Sequence, residues 1–438
     1  MNETDGDICV EQLMAEPKLV ELCELQRIGD EVLDVISLSE NQHSDILAWM
    51  LDAKEGHGQG DEILRDLLVS ASTIAASEQC KLDGKFKTAK FFKSWPPSRM
   101  RTTSFGAAFA ARELGIKAAE RVDLFVIDAQ NKFILVIENK AGSAHNKKQL
   151  DLYRNSFSLL VSQNSRLKEY DYAFIAIDRE FDVEAEEERP SSKTWLHIGY
   201  DWLETSAKRA LLHVARGNSA AKLVVSYCNR QTAWEDPGNR MATDLAASLH
   251  QAYPEAVTRI LKVSGGRLEK RWLNQIADDP AILFLLQNKG VISLLKETRG
   301  MAAVQAAILA QLTTIAKDSI YYTRVWLFLC PRGWEVFRGK AGWPVYLTVR
   351  AVGDSKSLYT LALCWYAPSA MNAKVSDELR SRLSSVDSRF AKYVDSKWRR
   401  VAIARAAPLP ELVKAVVDVE GRLFKVLTVS QPTLLHQH

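Results

Sequence analysis

Asp123, Glu138 and Lys140 are the residues whose types and spacing could do chemistry. Glu138 and Lys140 close an apolar run, FILVI (133–137), that reads as a buried strand: short, continuous and β-branched. A spacing of two puts both side chains on one face of that strand. A carboxylate and an ammonium at the rim of a core are costly unless paired or functional. For these two alone, an ion pair at a strand end is the simpler account. Asp123 changes the balance. It lies in RVDLFVI (121–127), which reads as a second strand, joined to the first by the turn-forming DAQNK (128–132). In such a hairpin the three side chains can converge on one patch. Two carboxylates can hold a hard divalent cation through oxygen ligands, and the backbone carbonyl of Asn139 could add another oxygen. Lys140 would then reach the attacking water or the scissile phosphate. Such a site suits phosphodiester hydrolysis, in which the metal polarises the phosphoryl oxygen and activates water.

The elements that must position these residues follow from hydrophobic spacing. Residues 8–38 have helical periodicity, and Ser39 could cap a helix beginning near Glu40, with Ile46, Leu47, Met50 and Leu51 on its apolar face. GHGQGDE (56–62) is a Gly-rich loop, with Asp61 as the expected N-cap of the helix that follows. KFKTAKFFK (85–93) reads as a strand ending near Pro96-Pro97. Residues 146–163 form an amphipathic helix carrying Leu150, Tyr153, Phe157, Leu160 and Val161. YAFIAI (172–177) is another buried strand. A turn at 189–193, a short strand at 195–198 and a helix at 202–215 follow. This α-β-β-α-β order predicts an α/β domain with a mixed sheet.

From about Ala233 the character changes. Helices are expected at 241–263, 273–297, 301–316, 375–397 and 409–417. Strands are expected at TRVWLFLC (323–330), WEVFR (334–338), PVYLTVRAV (344–352) and LYTLALCWYA (358–367). The polar segment 228–240, which holds Pro237-Gly238, is the expected linker. The reading is a domain over 1–230 and a separate α+β domain over 240–438. The latter could sense a ligand, bind a partner subunit, support a homo-oligomer or hold nucleic acid.

Composition excludes some classes. At 438 residues, with 47% hydrophobic and 25% charged content, the chain is ordinary for a globular protein of two or three domains. No apolar run approaches the ~20 residues needed to span a bilayer. The acidic start, MNETDGDICVEQ, lacks the pattern of a signal peptide. Six scattered Cys without a C-x-x-C pair argue for reduced thiols, a cytoplasmic location and no structural zinc. The net charge of +3 hides an asymmetry: residues 1–40 hold eleven Asp/Glu against two Lys/Arg, and residues 81–148 hold fourteen Lys/Arg against six Asp/Glu. A basic field of that kind suits a polyanion. No G-x-x-x-x-G-K-[ST], H-E-x-x-H or G-x-S-x-G motif occurs, which disfavours NTPase, zinc-protease and serine-hydrolase readings.

VDLFVID…FILVIENK resembles the PD-(D/E)xK nuclease superfamily, with Val122-Asp123 where Pro-Asp is usual. Gln149-Leu-Asp-Leu-Tyr153 is similar to the Q-x-x-x-Y motif of its recombination-exonuclease-like branch, and Gln149 and Tyr153 share a helix face. Glu40-Asn-Gln-His-Ser44 looks like the E-x-x-H-S helix of one subfamily. The resemblance covers roughly residues 40–215. It implies a restriction-endonuclease-like fold and a Mg²⁺- or Mn²⁺-dependent nuclease, with DNA as the expected substrate and prokaryotic restriction or phage defence as the setting. The implied catalytic set is Asp123, Glu138, Lys140, Gln149, Tyr153 and Glu40, with Asp123, Glu138 and Asn139 as metal ligands. The alternative is a catalytically silent nuclease fold that binds nucleic acid or acts as a scaffold; an intact Asp123–Glu138–Lys140 trio argues against it.

Other residues are read more plainly. His43 reads as a hydrogen-bonded structural histidine, and His57 and Gly60 as loop-shaping. Lys93, Arg99, Arg101, Lys147 and Lys148 are candidate phosphate contacts, with Phe86, Phe91, Phe92 and Trp95 interleaved for base stacking. Arg121 could clamp a phosphate or pair with a carboxylate. Lys397-Trp-Arg-Arg400 and Arg405, the best basic cluster of the C-terminal half, read as a solvated helix end.

Overall fold

The first two helices, α1 (Glu3–Met14) and α2 (Pro17–Ile28), bury Val10, Leu13, Leu19 and Leu22 against Ala246, Leu249, Val257 and Ile260. They therefore fold with the C-terminal part of the chain. In this computed structural model the chain forms two compact units, Glu31–Asp236 and Met1–Asp30 with Pro237–His438. The expectation of a domain over 1–230 that includes the N-terminal helices is corrected in this respect. Periodicity shows that a helix has an apolar face and says nothing about what covers it. The structure describes residues 3–28, 33, 38–77, 79–117, 120–141, 144–179, 181, 189–232, 234–264, 280–323, 326–339, 342–352, 358–391 and 398–429.

The unit over 31–236 is built on a mixed five-stranded sheet of order β1 (Phe109–Arg112), β4 (Leu124–Asp128), β5 (Phe133–Lys140), β6 (Asp171–Asp178) and β7 (Leu196–Ile198). β1, β4 and β5 are antiparallel, and β5, β6 and β7 run parallel. The expected mixed sheet flanked by helices is what forms. β5 is buried along its length, and both of its faces are covered. Phe133, Leu135 and Ile137 face a core shared with α3 (Glu40–Leu51) and α4 (Glu62–Ala75). Ile134 and Val136 face Leu150, Tyr153 and Phe157 of α7 (Lys147–Gln163). By strand alternation, Glu138 and Lys140 extend the α7 side and Asn139 the α3 side.

Several expectations are corrected here. The stretch 85–93 is not a strand: α5 (Lys87–Ser94) turns Thr88, Phe91 and Phe92 inward, Trp95 is buried after it, and the short α6 (Pro97–Thr102) follows. Those four buried residues recur at helical steps, and the alternation seen in KFKTAKFFK is incidental. With Phe91, Phe92 and Trp95 in the core, only Phe86 of the interleaved aromatics is exposed, so the expected stacking row does not form. RVDLFVI is split, with Glu120–Arg121 (β3) pairing Gly115–Lys117 (β2) and Asp123 standing between β3 and β4. Asp61 makes no side-chain cap; its carboxylate accepts the Phe105 N–H at 2.6 Å and binds Arg65. Ser39 does cap α3, in a box with Gln42.

The other unit holds an antiparallel sheet of order β12 (Trp398–Pro408), β11 (Leu358–Tyr366), β10 (Val345–Val352), β9 (Trp326–Leu329) and β8 (Ile320–Tyr322). One face packs on helices 289–311, 373–386 and 409–429 through Leu327, Leu347, Leu363 and Val401. WEVFR is a 3₁₀ turn, and Trp398–Arg400, expected at a helix end, opens the longest strand of this sheet. Expected helix positions 273–279 and 392–397 lie outside the described residues.

Candidate active site

The β4–β5 register pairs Leu124 with Ile137, so Asp123 stands one step beyond, beside Glu138. The Asn139 N–H donates to Asp123 Oδ2 at 2.8 Å, which pins that carboxylate against the end of β5. Glu138 is 1% exposed. Its Oε1 accepts from Gln149 Nε2 at 3.0 Å and lies 3.4 Å from Lys140 Nζ; its Oε2 is buried with no hydrogen-bond partner. Lys140 Nζ also lies 3.3 Å from Glu40 Oε2 at the first turn of α3. Gln149 Nε2 is 3.0 Å from Tyr153 Oη, and Tyr153 donates to the Arg121 carbonyl at 2.7 Å. Five of the six expected catalytic residues are thus linked around Glu138, and Asp123 joins them through the backbone of β5.

The electrostatics follow from burial. Burial, and then the charge on Asp123, pushes the Glu138 carboxyl up to about 8. Burial also raises Asp123, against the opposing Asn139 N–H, Lys140 and Arg112. Burial alone would lower the Lys140 ammonium, but Glu138, Asp123 and Glu40 together outweigh it and hold it above its ordinary value. A buried, underbonded carboxyl beside a second carboxylate is a place where added positive charge would be favourable.

The residues fit a small hard cation. Among the described residues no three His, Cys, Asp or Glu side chains converge as a metal-holding group. Asp123 and Glu138 would supply two carboxylates. Mg²⁺ commonly takes one or two carboxylates and completes its shell with water and substrate phosphate. The unsatisfied Glu138 Oε2 is the oxygen such an ion would use.

The Asn139 side chain points to the other face. It donates to Ser44 Oγ at 3.2 Å and accepts from the Tyr200 hydroxyl, tying the end of β5 to α3. His43 is buried against Tyr227 and Gln231, and burial lowers it to about 4, so it is a neutral structural group. His57 bonds the Asp52 carbonyl and accepts the Gln59 N–H.

The candidate phosphate contacts are scattered. Arg121 is exposed and 3.5 Å from Glu113, so of its two readings the carboxylate pair is the one seen. Arg99 lies over the Trp95 ring, 3.6 Å from its centroid. Arg101 lies 4.0 Å from Asp66, and Lys147 pairs with Asp151 within α7. Lys93 and Lys148 are exposed. Sequence reasoning missed Arg112, whose charge lowers Asp123 and which binds Asp45 at 2.6 Å. The short β1 that carries it has no apolar alternation strong enough to signal a strand.

A mixed sheet between helices, with an Asp, a Glu and a Lys gathered at the end of its central strand, defines a restriction-endonuclease-like α/β domain. Residues 30–229 match the family model of the PD-(D/E)XK nuclease superfamily. Its members are generally nucleases and typically use divalent metals. No curated protein and no solved structure matches the chain.

The α7 face provides a separable test. Gln149→Ala removes one positioning hydrogen bond to Glu138 and is expected to slow cleavage about 10-fold, or ~1.4 kcal/mol, with little change in thermal stability. Tyr153→Phe keeps the buried ring and removes only the hydroxyl that bridges Gln149 and Arg121. Leu150→Ala should do the reverse, costing roughly 2–5 kcal/mol of stability through a core cavity. The measurements are single-turnover cleavage and thermal unfolding. Wild-type cleavage by both Gln149→Ala and Tyr153→Phe would remove α7 from the site.

Proposed function

We propose that the Asp123–Glu138–Lys140 site hydrolyses phosphodiester bonds of nucleic acid, with DNA as substrate and with Mg²⁺ or Mn²⁺ as cofactor. The observation that carries this reading is the buried Glu138 carboxylate with an unpartnered oxygen beside Asp123, at the end of β5 within the segment that matches the superfamily model. When bound, the cation would activate water and polarise the phosphoryl oxygen. The chain's own residues have distinct tasks. Asp123 and Glu138 would hold the ion, and the Asn139 carbonyl could add a third oxygen. Lys140 brings a positive charge to the phosphate. Gln149 and Tyr153 orient Glu138, and Glu40 steers the Lys140 ammonium. Of the expected phosphate contacts, the exposed Lys93 and Lys148 are the ones that would meet the nucleic-acid backbone. Joined to a second unit of different fold, such a nuclease suits a role in restriction or phage defence. No helix among the described residues is long and apolar enough to cross a membrane.

The test is incubation of purified full-length chain with linear and circular DNA, single- and double-stranded, and with RNA, in Mg²⁺, Mn²⁺ or EDTA. Cleavage of DNA only in the presence of a divalent cation is the expected result. Cleavage of RNA alone would overturn the substrate assignment. No cleavage of any substrate would favour the silent nuclease fold.

A further inference from the structure

The unit over 31–236 carries a basic surface away from its acidic site. Residues 84–111 hold six Lys/Arg and no Asp or Glu. Arg99 is taken up by the Trp95 ring and the Ser94 carbonyl, and Arg101 lies 4.0 Å from Asp66. The lysines are different. Lys85, Lys87, Lys90 and Lys93 are exposed, and no carboxylate among the described residues forms an ion pair with them. Asp83, the nearest acid in sequence, accepts the Lys85 backbone N–H at 2.9 Å. Lys193 adds a fifth exposed ammonium beside them. Its carbonyl accepts the Asp83 N–H, and the next carbonyl, of Thr194, accepts from the Thr88 hydroxyl of α5. This arrangement costs α5 stability. Lys87 stands at its first position, where the helix dipole disfavours a cation, and no acid follows in that turn. Lys87, Lys90 and Lys93 repeat at three-residue steps, so like charges are neighbours on the helix surface.

Position and composition select the occupant. The Phe91 and Trp95 rings lie 5.8 and 5.4 Å from Phe133, the first residue of β5. Lys87 lies 5.4 Å from the ring of Tyr172, whose neighbour on β5 is Ile134. Glu138 is further along β5, about 17 Å from Phe133 at ~3.3 Å per residue. A ligand that reaches both places must be long. Lysines present point charges suited to phosphates. Phe91, Phe92 and Trp95 are turned into the core, which leaves no stacking row for bases, so the contact is to a backbone. From Lys87 to Lys93 the helix rises about 9 Å, roughly the axial span of three phosphates of one strand of a duplex. A duplex is also stiff over ~17 Å, so binding at one end presents the other with little further loss of freedom. We propose that the lysine face of α5 is an exosite for the phosphate backbone of a DNA duplex, so that the chain favours substrates extending at least about five base pairs beyond the scissile bond. Only the last clause rests on the reading of the acidic site as a nuclease centre; the binding itself does not require cleavage.

The test is therefore run in EDTA with the full chain, by anisotropy of fluorescein-labelled DNA duplexes of about 8 and about 30 base pairs. The native chain should bind the longer duplex more tightly. Changing Lys87, Lys90 and Lys93 together to Gln should lower the slope of log affinity against log salt on that duplex by about 2.7, or ~0.9 for each phosphate contact, and weaken binding about 10²-fold. The preference for length should disappear with it. Lys85→Gln with Lys193→Gln lies outside the helix and should lower the slope by about 1.8, which keeps the test decisive if the α5 variant does not fold. Lys289, Lys374 and Lys414, exposed lysines of the other unit, changed together to Gln remove the same charge as the α5 variant and should leave the slope unchanged. A native slope in the folded α5 variant would overturn the proposal, as would an equal loss in the control variant, which would assign the effect to net charge. Failure of the native chain to bind duplex, or tighter binding of a single strand of equal length, would overturn it as well. A lost slope in the α5 variant beside a native chain that cleaves nothing in Mg²⁺ or Mn²⁺ would sink the nuclease reading and leave the exosite standing.

Discussion

Glu138→Gln is expected to lower cleavage by about 10³-fold or more, on the order of 4 kcal/mol, and to stabilise the metal-free protein at pH 8. The first effect follows from the oxygen lost to the cation. The second follows from the sign of the pKa shift. Burial and Asp123 raise the folded-state carboxyl to about 8, well above its unfolded value. Between those two values the unfolded chain has released this proton and the folded chain has not. Stability of the native chain therefore falls as pH rises through that window and levels off above about 8. The neutral amide of the Glu138→Gln variant carries no such penalty, so its advantage should be small at pH 5 and larger at pH 8. The same proton must leave when a cation binds, so Mn²⁺ affinity of the native chain should rise with pH through this range. Thermal unfolding at the two pH values, with and without Mn²⁺, reads both the stability and the metal-affinity effects, and single-turnover cleavage reads the rate. A Glu138→Gln chain that is less stable than native at pH 8 without metal would contradict the electrostatic account.

Lys140→Ala has the next largest expected effect: about 10²-fold or more in single-turnover rate, with substrate affinity nearly unchanged. Lys140 sits among Glu138, Asp123 and Glu40, which hold it charged and fix its place at the end of β5. Its ammonium matters most where negative charge develops on the transferring phosphoryl group, so the loss belongs in the chemical step. Lys140→Arg keeps the charge but replaces a point donor with a planar fork, and should recover only part of the rate. Single-turnover kinetics beside a binding titration separate the possibilities. A loss confined to binding would make Lys140 a phosphate clamp instead.

The site was legible because its parts are local. An apolar β-branched run, a turn and a second apolar run specify the β4–β5 hairpin, and strand alternation then sets Asp123, Glu138 and Lys140 together. That Gln149 and Tyr153 share the helix face turned toward these residues is legible for the same reason, since α7 follows β5 closely and its apolar stripe fixes its rotation; the hydrogen bond from Gln149 to Glu138 is seen only in the structure. The sequence failed where the deciding contact is distant. α1 and α2 have clear apolar faces, but the residues that cover them, such as Ala246, Leu249 and Ile260, lie in the far half of the chain. Asp61 looks like a cap and is instead recruited by the Phe105 N–H. β12 reads WRRVAIARAAP, in which arginine and alanine favour helix, and pairing with β11 overrides that preference. Around residues 85–95 two periods compete: KFKTAKFFK alternates like a strand, while Thr88, Phe91, Phe92 and Trp95 spell out the helical face that forms.

The most direct test of the central claim is a time course of DNA cleavage by the purified chain and by Asp123→Ala, each with Mn²⁺ and with EDTA. Asp123 is half-buried at the rim of the site, between β3 and β4 and outside both, so its replacement should leave the fold intact. The account predicts cleavage by the native chain with Mn²⁺ alone, and none by folded Asp123→Ala under either condition. Cleavage by Asp123→Ala at the native rate, or native cleavage that persists in EDTA, would contradict it.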